Sequence, residues 1–171
     1  METYQILTHL RHHDQRGSFL KIFNKEALAI NRIEFEVREF YVSHSIRNVI
    51  RGMHFQLPPH QHKKIITCQS GVILDVFVDL RKESSEFGKA HSVVLDSKTP
   101  QSIYLPEGFA HGFKTLSETA EVSYLVSTAY HPESDAGILW SSIAFNWEIE
   151  TPILSERDQN FSPFQSFQTP F

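Results

Sequence analysis

Two residues ten positions apart carry the first chemical signal in this sequence: His54, inside the run Arg51-Gly52-Met53-His54-Phe55-Gln56, and Lys64. The run is apolar and extended in character, and a proline-rich turn at Leu57-Pro58-Pro59 separates it from the stretch that begins near Lys64. A histidine with an ordinary pKa of about 6.5 can take a proton near neutral pH. An ammonium beside it can stabilise charge developing on a carbonyl oxygen. The pair suits removal of a proton next to a carbonyl. A lone histidine on an apolar strand is more often a satisfied structural group, so the surrounding elements must decide.

Those elements read as strands. Alternation and β-branched or aromatic enrichment predict strands near 18–24, 33–43, 64–69, 72–80, 91–96, 101–105 and 121–129. Turn signals at Ser70-Gly71, Asp96-Ser97 and Pro106-Glu107-Gly108 separate them. Lys25 to Ile30 predicts a short helix capped by Asn24. Many short strands without a long amphipathic helix predict an all-β fold, an antiparallel sandwich or barrel such as a jelly roll, with short flanking helices. The length of 171 residues suits one domain over 1–171. The segment 148–171 is expected to be irregular, its Phe161, Phe164, Phe167 and Phe171 packing on the barrel or on a second subunit.

Composition narrows the partners. A formal net charge of -4 provides no whole-chain field for nucleic acid or an anionic membrane. Cys68 is the one cysteine, which excludes an intramolecular disulfide and fits a reducing, cytoplasmic setting. The N-terminal stretch has no apolar signal core, and no window reaches membrane-spanning length. No nucleophile elbow, phosphate-binding glycine loop or dinucleotide fingerprint supports hydrolase, kinase or dehydrogenase chemistry.

Longer blocks then carry a resemblance. RGMHFQLPP, KKIITCQSGVILDVFVDLRKESSEFGK, YLPEGFAHGF, LSETAEVSYLVSTAYHPES, ILW and ILSERD follow in order between about Asp14 and Asp158. Together they resemble the dTDP-4-dehydrorhamnose 3,5-epimerase family of nucleotide-sugar enzymes. The resemblance implies a cupin-type jelly roll, a homodimer that exchanges strands, no metal and no cofactor. It implies proton abstraction beside the C4 ketone of a 4-keto-6-deoxy sugar nucleotide. In that likeness His54 is the base, Asp158 orients and charges it, Lys64 stands near the ketone oxygen, and Tyr124 is the acid on the opposite face. Arg16, Arg51, Gln56, Asp75, His111 and Tyr130 match positions around the sugar and diphosphate. Read alone, Asp158 would be a surface charge, Lys64 a solvated lysine beside Lys63, and Tyr124 a core aromatic. Asp75, inside the apolar run VILDVFVD, needs a buried partner, a histidine or lysine of this site.

Departures cluster on the nucleotide and sugar side. Lys21 stands where thymidine-using members often carry glutamate, Glu39-Phe40-Tyr41-Val42 replaces Gln-Asp-Asn-His, and Ala129 replaces a tyrosine before Tyr130. They leave open the base, the sugar, and inversion at C3, C5 or both. Three other readings stand beside this one. His60-x-His62 and Pro106-x-Gly108-x-x-His111 match parts of a metal-cupin signature, but Ile66 and Thr67 occupy the place of its glutamate and Thr115 that of its asparagine. A non-catalytic sugar-binding cupin has no need of the acid–base set. A ketoisomerase would share the first proton abstraction.

Overall fold

In the computed structural model, which describes residues 2–171, two five-stranded antiparallel sheets face each other. One runs in the order β1 (Gln5–Thr8), β9 (Gln101–Leu105), β6 (Lys64–Ser70), β11 (Thr119–Val126), β4 (Glu39–Ile46). The other runs β12 (Asp135–Gly137), β5 (Ile50–Gln56), β10 (Phe109–Thr115), β7 (Val72–Asp79), β8 (Ala90–Asp96). A separate hairpin joins β2 (Arg11–Asp14) to β3 (Gly17–Leu20), and the helices are α1 (Lys25–Ile30) and α2 (Glu156–Gln159). This is the all-β, double-sheet architecture expected of a jelly roll.

Period-two alternation on β7 divides its apolar residues between two of the buried clusters. On β7, Ile73 and Phe77 enter the space between the sheets, where they pack with Ile66, Ile103, Phe113 and Val122. Val76 and Val78 point the other way, into a cluster with Ile138, Ile143 and Trp147. Phe164, Phe167 and Phe171 of the C-terminal segment pack on that second cluster. Three of the four tail phenylalanines therefore cover this chain's own sheet; the fourth, Phe161, lies against His54 with ring centroids 5.7 Å apart. The segment is irregular apart from α2 and a single 3-10 turn at Phe164–Ser166.

Helix α1 forms where its cap predicted, with Asn24 Oδ1 accepting from the Ala27 N–H at 3.1 Å. Its Leu28 packs with Ile33, Phe35 and Tyr104. This contact corrects the strand expected over 33–43. Ile33 and Phe35 alternate because they lie as an unpaired extended segment in that cluster, and the hydrogen-bonded strand starts at Glu39 and continues to Ile46. The strand expected over 18–24 ends at Leu20, and that over 121–129 runs from Thr119 to Val126. β1, β2, β10 and β12 were not expected as strands. All seven residues of β10 are buried, so the polar half of the alternation is missing there.

Candidate active site

The alternation that builds the inter-sheet core also builds the site. Some inward positions of the same space carry polar side chains set among the apolar ones: Lys64 on β6, Tyr124 on β11, Ser43 on β4, His54 on β5, Asp75 on β7 and His111 on β10. His54 and His111 are direct cross-strand partners. A cleft of about 290 Å³ is lined by Ser43, Arg51, His54, Lys64, His111 and Tyr124, among others. A second, of about 380 Å³, shares Tyr41, His54 and Lys64 with it and extends to Gln56, Tyr130 and Asp135.

His54 is held by a carboxylate from the far end of the chain. Its Nε2 lies 2.7 Å from Asp158 Oδ1, and the Gly52 N–H donates to Asp158 Oδ2 at 3.2 Å. Ser155 caps α2 and accepts from the Asp158 N–H at 3.1 Å, which fixes where that carboxylate points. Gly52 has φ +142, and a Cβ there would lie 2.5 Å from Gly112 Cα. Only glycine lets β5 approach β10 this closely while turning its N–H to the carboxylate. Burial would raise the pKa of Asp158, but the hydrogen bonds and charge of His54 and the bond from Gly52 bring it below the ordinary carboxylate value. Burial lowers the pKa of His54; Asp158 pulls upward, and Lys64 and Arg157 add to the lowering. The imidazole is therefore neutral near pH 7. With Asp158 accepting at Nε2, the lone pair resides on Nδ1, which has no partner among the described residues.

Lys64 is buried, and its Nζ donates to the His54 carbonyl oxygen at 3.0 Å. Burial pulls its pKa down to about 8 against the opposing charges of Asp135 and Asp75. Asp75, fully buried, accepts from His111 Nε2 at 2.8 Å, so the partner expected for the acid inside VILDVFVD is His111. Burial raises the pKa of Asp75, with His111 and Lys64 opposing. Tyr124 is buried, its hydroxyl 3.4 Å from Ser43 Oγ. Burial keeps its phenol well above the usual pKa, so it holds its proton throughout the neutral range.

The family model described as dTDP-4-dehydrorhamnose 3,5-epimerase matches residues 1–166. The chain belongs to that family. It is thereby an isomerase, on a cupin jelly roll. The dTDP-4-dehydrorhamnose 3,5-epimerase of Shigella flexneri is 40% identical over 156 residues, covering 88% of this chain and 85% of that one. A dTDP-4-dehydrorhamnose 3-epimerase of Streptomyces niveus is 38% identical, covering 86% and 72%. The crystal structure of the 3,5-epimerase from Bacillus anthracis, with TDP and PPi bound, superposes with a TM-score of 0.91 at 34% identity, covering 94% of this chain and 93% of that one.

The remaining residues of this epimerase-family chain divide by position. Arg51 lines the smaller cleft while its guanidinium donates to Ser45 Oγ at 2.9 Å and to the His44 carbonyl at 3.1 Å. Gln56 lines the larger one, but its amide is engaged by its own surroundings: it donates to the carbonyls of His60 and Ala129 and accepts from the His131 N–H. Tyr130 stands exposed at the rim, its hydroxyl 3.3 Å from Asp135 Oδ2. Arg16 is the exception. It lies in the β2–β3 hairpin, ion-paired with Asp14 at 2.6 Å, and lines a different surface depression. The structure of one chain does not bring it to the His54 cleft.

Sequence reading missed a second ion pair at the larger cleft. Arg157 grips Asp135 with two bonds, of 2.7 and 3.0 Å, and its guanidinium carbon lies 5.2 Å from the ring centroid of Phe161. Partners 22 residues apart carry no local signal, although Arg157 directly precedes Asp158. The two histidines of the metal-cupin signature diverge. His60 Nδ1 meets Ser134 Oγ at 2.9 Å and its ring stacks on His131. His62 turns inward to Gln56 and lines the cleft. His60, His131 and Glu133 bring ligand-type atoms within 4.8 Å of one another. The His60 and His131 rings are parallel to within 9°, at 3.5 Å, so their lone pairs run side by side instead of converging.

Proposed function

We propose that this enzyme inverts C3, C5 or both in a nucleotide-diphospho-4-keto-6-deoxyhexose of the dTDP-4-keto-6-deoxyglucose type, within deoxysugar biosynthesis. The observation that carries the reading is a neutral histidine, a buried lysine and a protonated tyrosine lining one cleft of about 290 Å³. His54 Nδ1 removes the proton beside the C4 ketone. The C–H electron pair becomes the enolate, its charge developing on the C4 oxygen near the Lys64 ammonium. Asp158 holds the imidazole by Nε2 and stabilises the imidazolium as it forms. Tyr124 delivers a proton to the opposite face of the same carbon, and its phenolate is restored from solvent. The dTDP form is supported by the 3,5-epimerase relatives and by the TDP bound in the Bacillus anthracis structure.

A homodimer fits the same reading. Phe40, Val42 and Ile46, on the face of edge strand β4 that points away from the sheet interior, are all more than half exposed. Arg16, remote from the cleft of its own chain, would meet the diphosphate in the site of a second copy. The reaction needs neither metal nor cofactor, and the lone free Cys68 suits the cytoplasm.

The test is incubation with dTDP-4-keto-6-deoxyglucose in deuterated water. Deuterium at C3 and C5 marks double inversion, and one labelled carbon marks a single epimerase. No exchange with the dTDP, GDP or CDP forms would overturn the epimerase reading. Stoichiometric metal with EDTA-sensitive turnover would favour the metal-cupin alternative.

A further inference from the structure

Tyr41 is one of the departures from the family pattern, and the structure places it against the proposed acid. Tyr41 and Tyr124 are cross-strand partners on β4 and β11. Their rings stack with centroids 4.7 Å apart and planes 18° from parallel. Tyr41 lines both clefts and so stands where they join.

The Tyr124 ring belongs to the inter-sheet apolar cluster, but little else fixes its hydroxyl. Among the described residues its hydroxyl has one hydrogen-bond partner, Ser43 Oγ, and the 3.4 Å separation is well beyond the 2.7–2.8 Å typical of O–H···O bonds. His111 meets its ring edge-on at 6.1 Å and is itself locked by Asp75. Its two aromatic neighbours are thus a locked histidine in the core and a second phenol on the outermost strand of its sheet. Removing the Tyr41 ring would open one side to rotamer change, since a weak hydroxyl contact cannot supply the restraint that stacking supplies.

We infer that Tyr41 is a positioning residue, whose ring aims the Tyr124 hydroxyl at the carbon being inverted and so decides whether proton removal ends in inversion or in return of the proton to the original face. This rests on the proposed epimerase reading. When Tyr124 is aimed, the enolate carbon takes its new C–H bond from the phenol. When it is not, the imidazolium of His54 returns a proton to the face it came from, after exchange with solvent. The outcome is deuterium uptake with retained configuration.

The ratio of inversion to deuterium uptake in deuterated water measures this directly. Tyr41→Phe keeps the stacking ring and removes the hydroxyl; Tyr41→Leu removes the ring. The Phe variant should keep the wild-type ratio within about twofold. The Leu variant should take up deuterium at a near wild-type rate with KM little changed, while net inversion falls by about 10-fold or more, within the range assigned to a general acid. An unchanged ratio in the Leu variant would overturn the inference. So would equal loss in the Phe and Leu variants, because it would assign the effect to the Tyr41 hydroxyl. A loss carried wholly by KM would make Tyr41 a substrate contact instead and equally overturn it. Wild-type protein that exchanges no deuterium would instead defeat the epimerase reading beneath it.

Discussion

Two sets of inward side chains in the space between the sheets come from the same strands and have opposite chemistry. One set, Ile66, Phe77, Ile103, Phe113 and Val122 from β6, β7, β9, β10 and β11, forms a dry core. The other, Lys64, Asp75, His111 and Tyr124 from β6, β7, β10 and β11, is interleaved with it, His111 opposite Phe77, Asp75 opposite Phe113 and Tyr124 opposite Ile66. Each of these has a polar partner or an open cleft beside it. Strand periodicity aims both sets inward, so the site needs no special backbone beyond the close approach at Gly52. The apolar set supplies stability. The polar set accepts the cost of buried charge, visible in the lowered pKa of Lys64 and the raised pKa of Asp75. Rigidity of the first set holds the geometry of the second.

Substitutions in the two sets should therefore separate activity from stability. His54→Ala should lower turnover by about 10²–10⁴-fold, the usual contribution of a general base, with the unfolding midpoint nearly unchanged by calorimetry. Activity retained in that variant would show that the base lies elsewhere. Ile103→Ala should do the reverse, costing about 2–5 kcal/mol in urea unfolding while turnover per folded molecule stays near wild type. A variant that lost both equally would erase the distinction between the sets.

The pH dependence of kcat/KM sharpens the contrast, because only the polar set titrates near neutrality. In the proposed mechanism His54 must be neutral to accept a proton, so activity should be lost as pH falls through its pKa, which burial lowers from the ordinary value. There Lys64 must be charged to stabilise the enolate, so activity should be lost as pH rises through about 8. Lys64→Arg, which stays charged, should remove the alkaline limb from whatever activity survives. An alkaline limb unchanged in that variant would assign the pH 8 group to another residue.

How legible each set was follows from its chemistry. The dry set is written as β-branched and aromatic alternation, so β6, β7, β8 and β9 were placed close to their bounds. β10 escaped because it is buried on both faces. In the polar set, His54 and Lys64 stood out by residue type and spacing, while Tyr124 and Asp158 were named from block resemblance, since no spacing rule connects residues 104 positions apart such as His54 and Asp158. Asp135 with Arg157, and the stacking of Tyr41 on Tyr124, were invisible for the same reason: each depends on strands and loops meeting in space. Arg16 was named too, yet one chain leaves it outside the cleft.

Opposite-face proton delivery stands or falls on Tyr124→Phe, measured as deuterium uptake against net inversion with dTDP-4-keto-6-deoxyglucose. Uptake by His54 should persist while inversion drops by about 10²-fold or more. Equal suppression of uptake and inversion would contradict a site with its base on one face and its acid on the other.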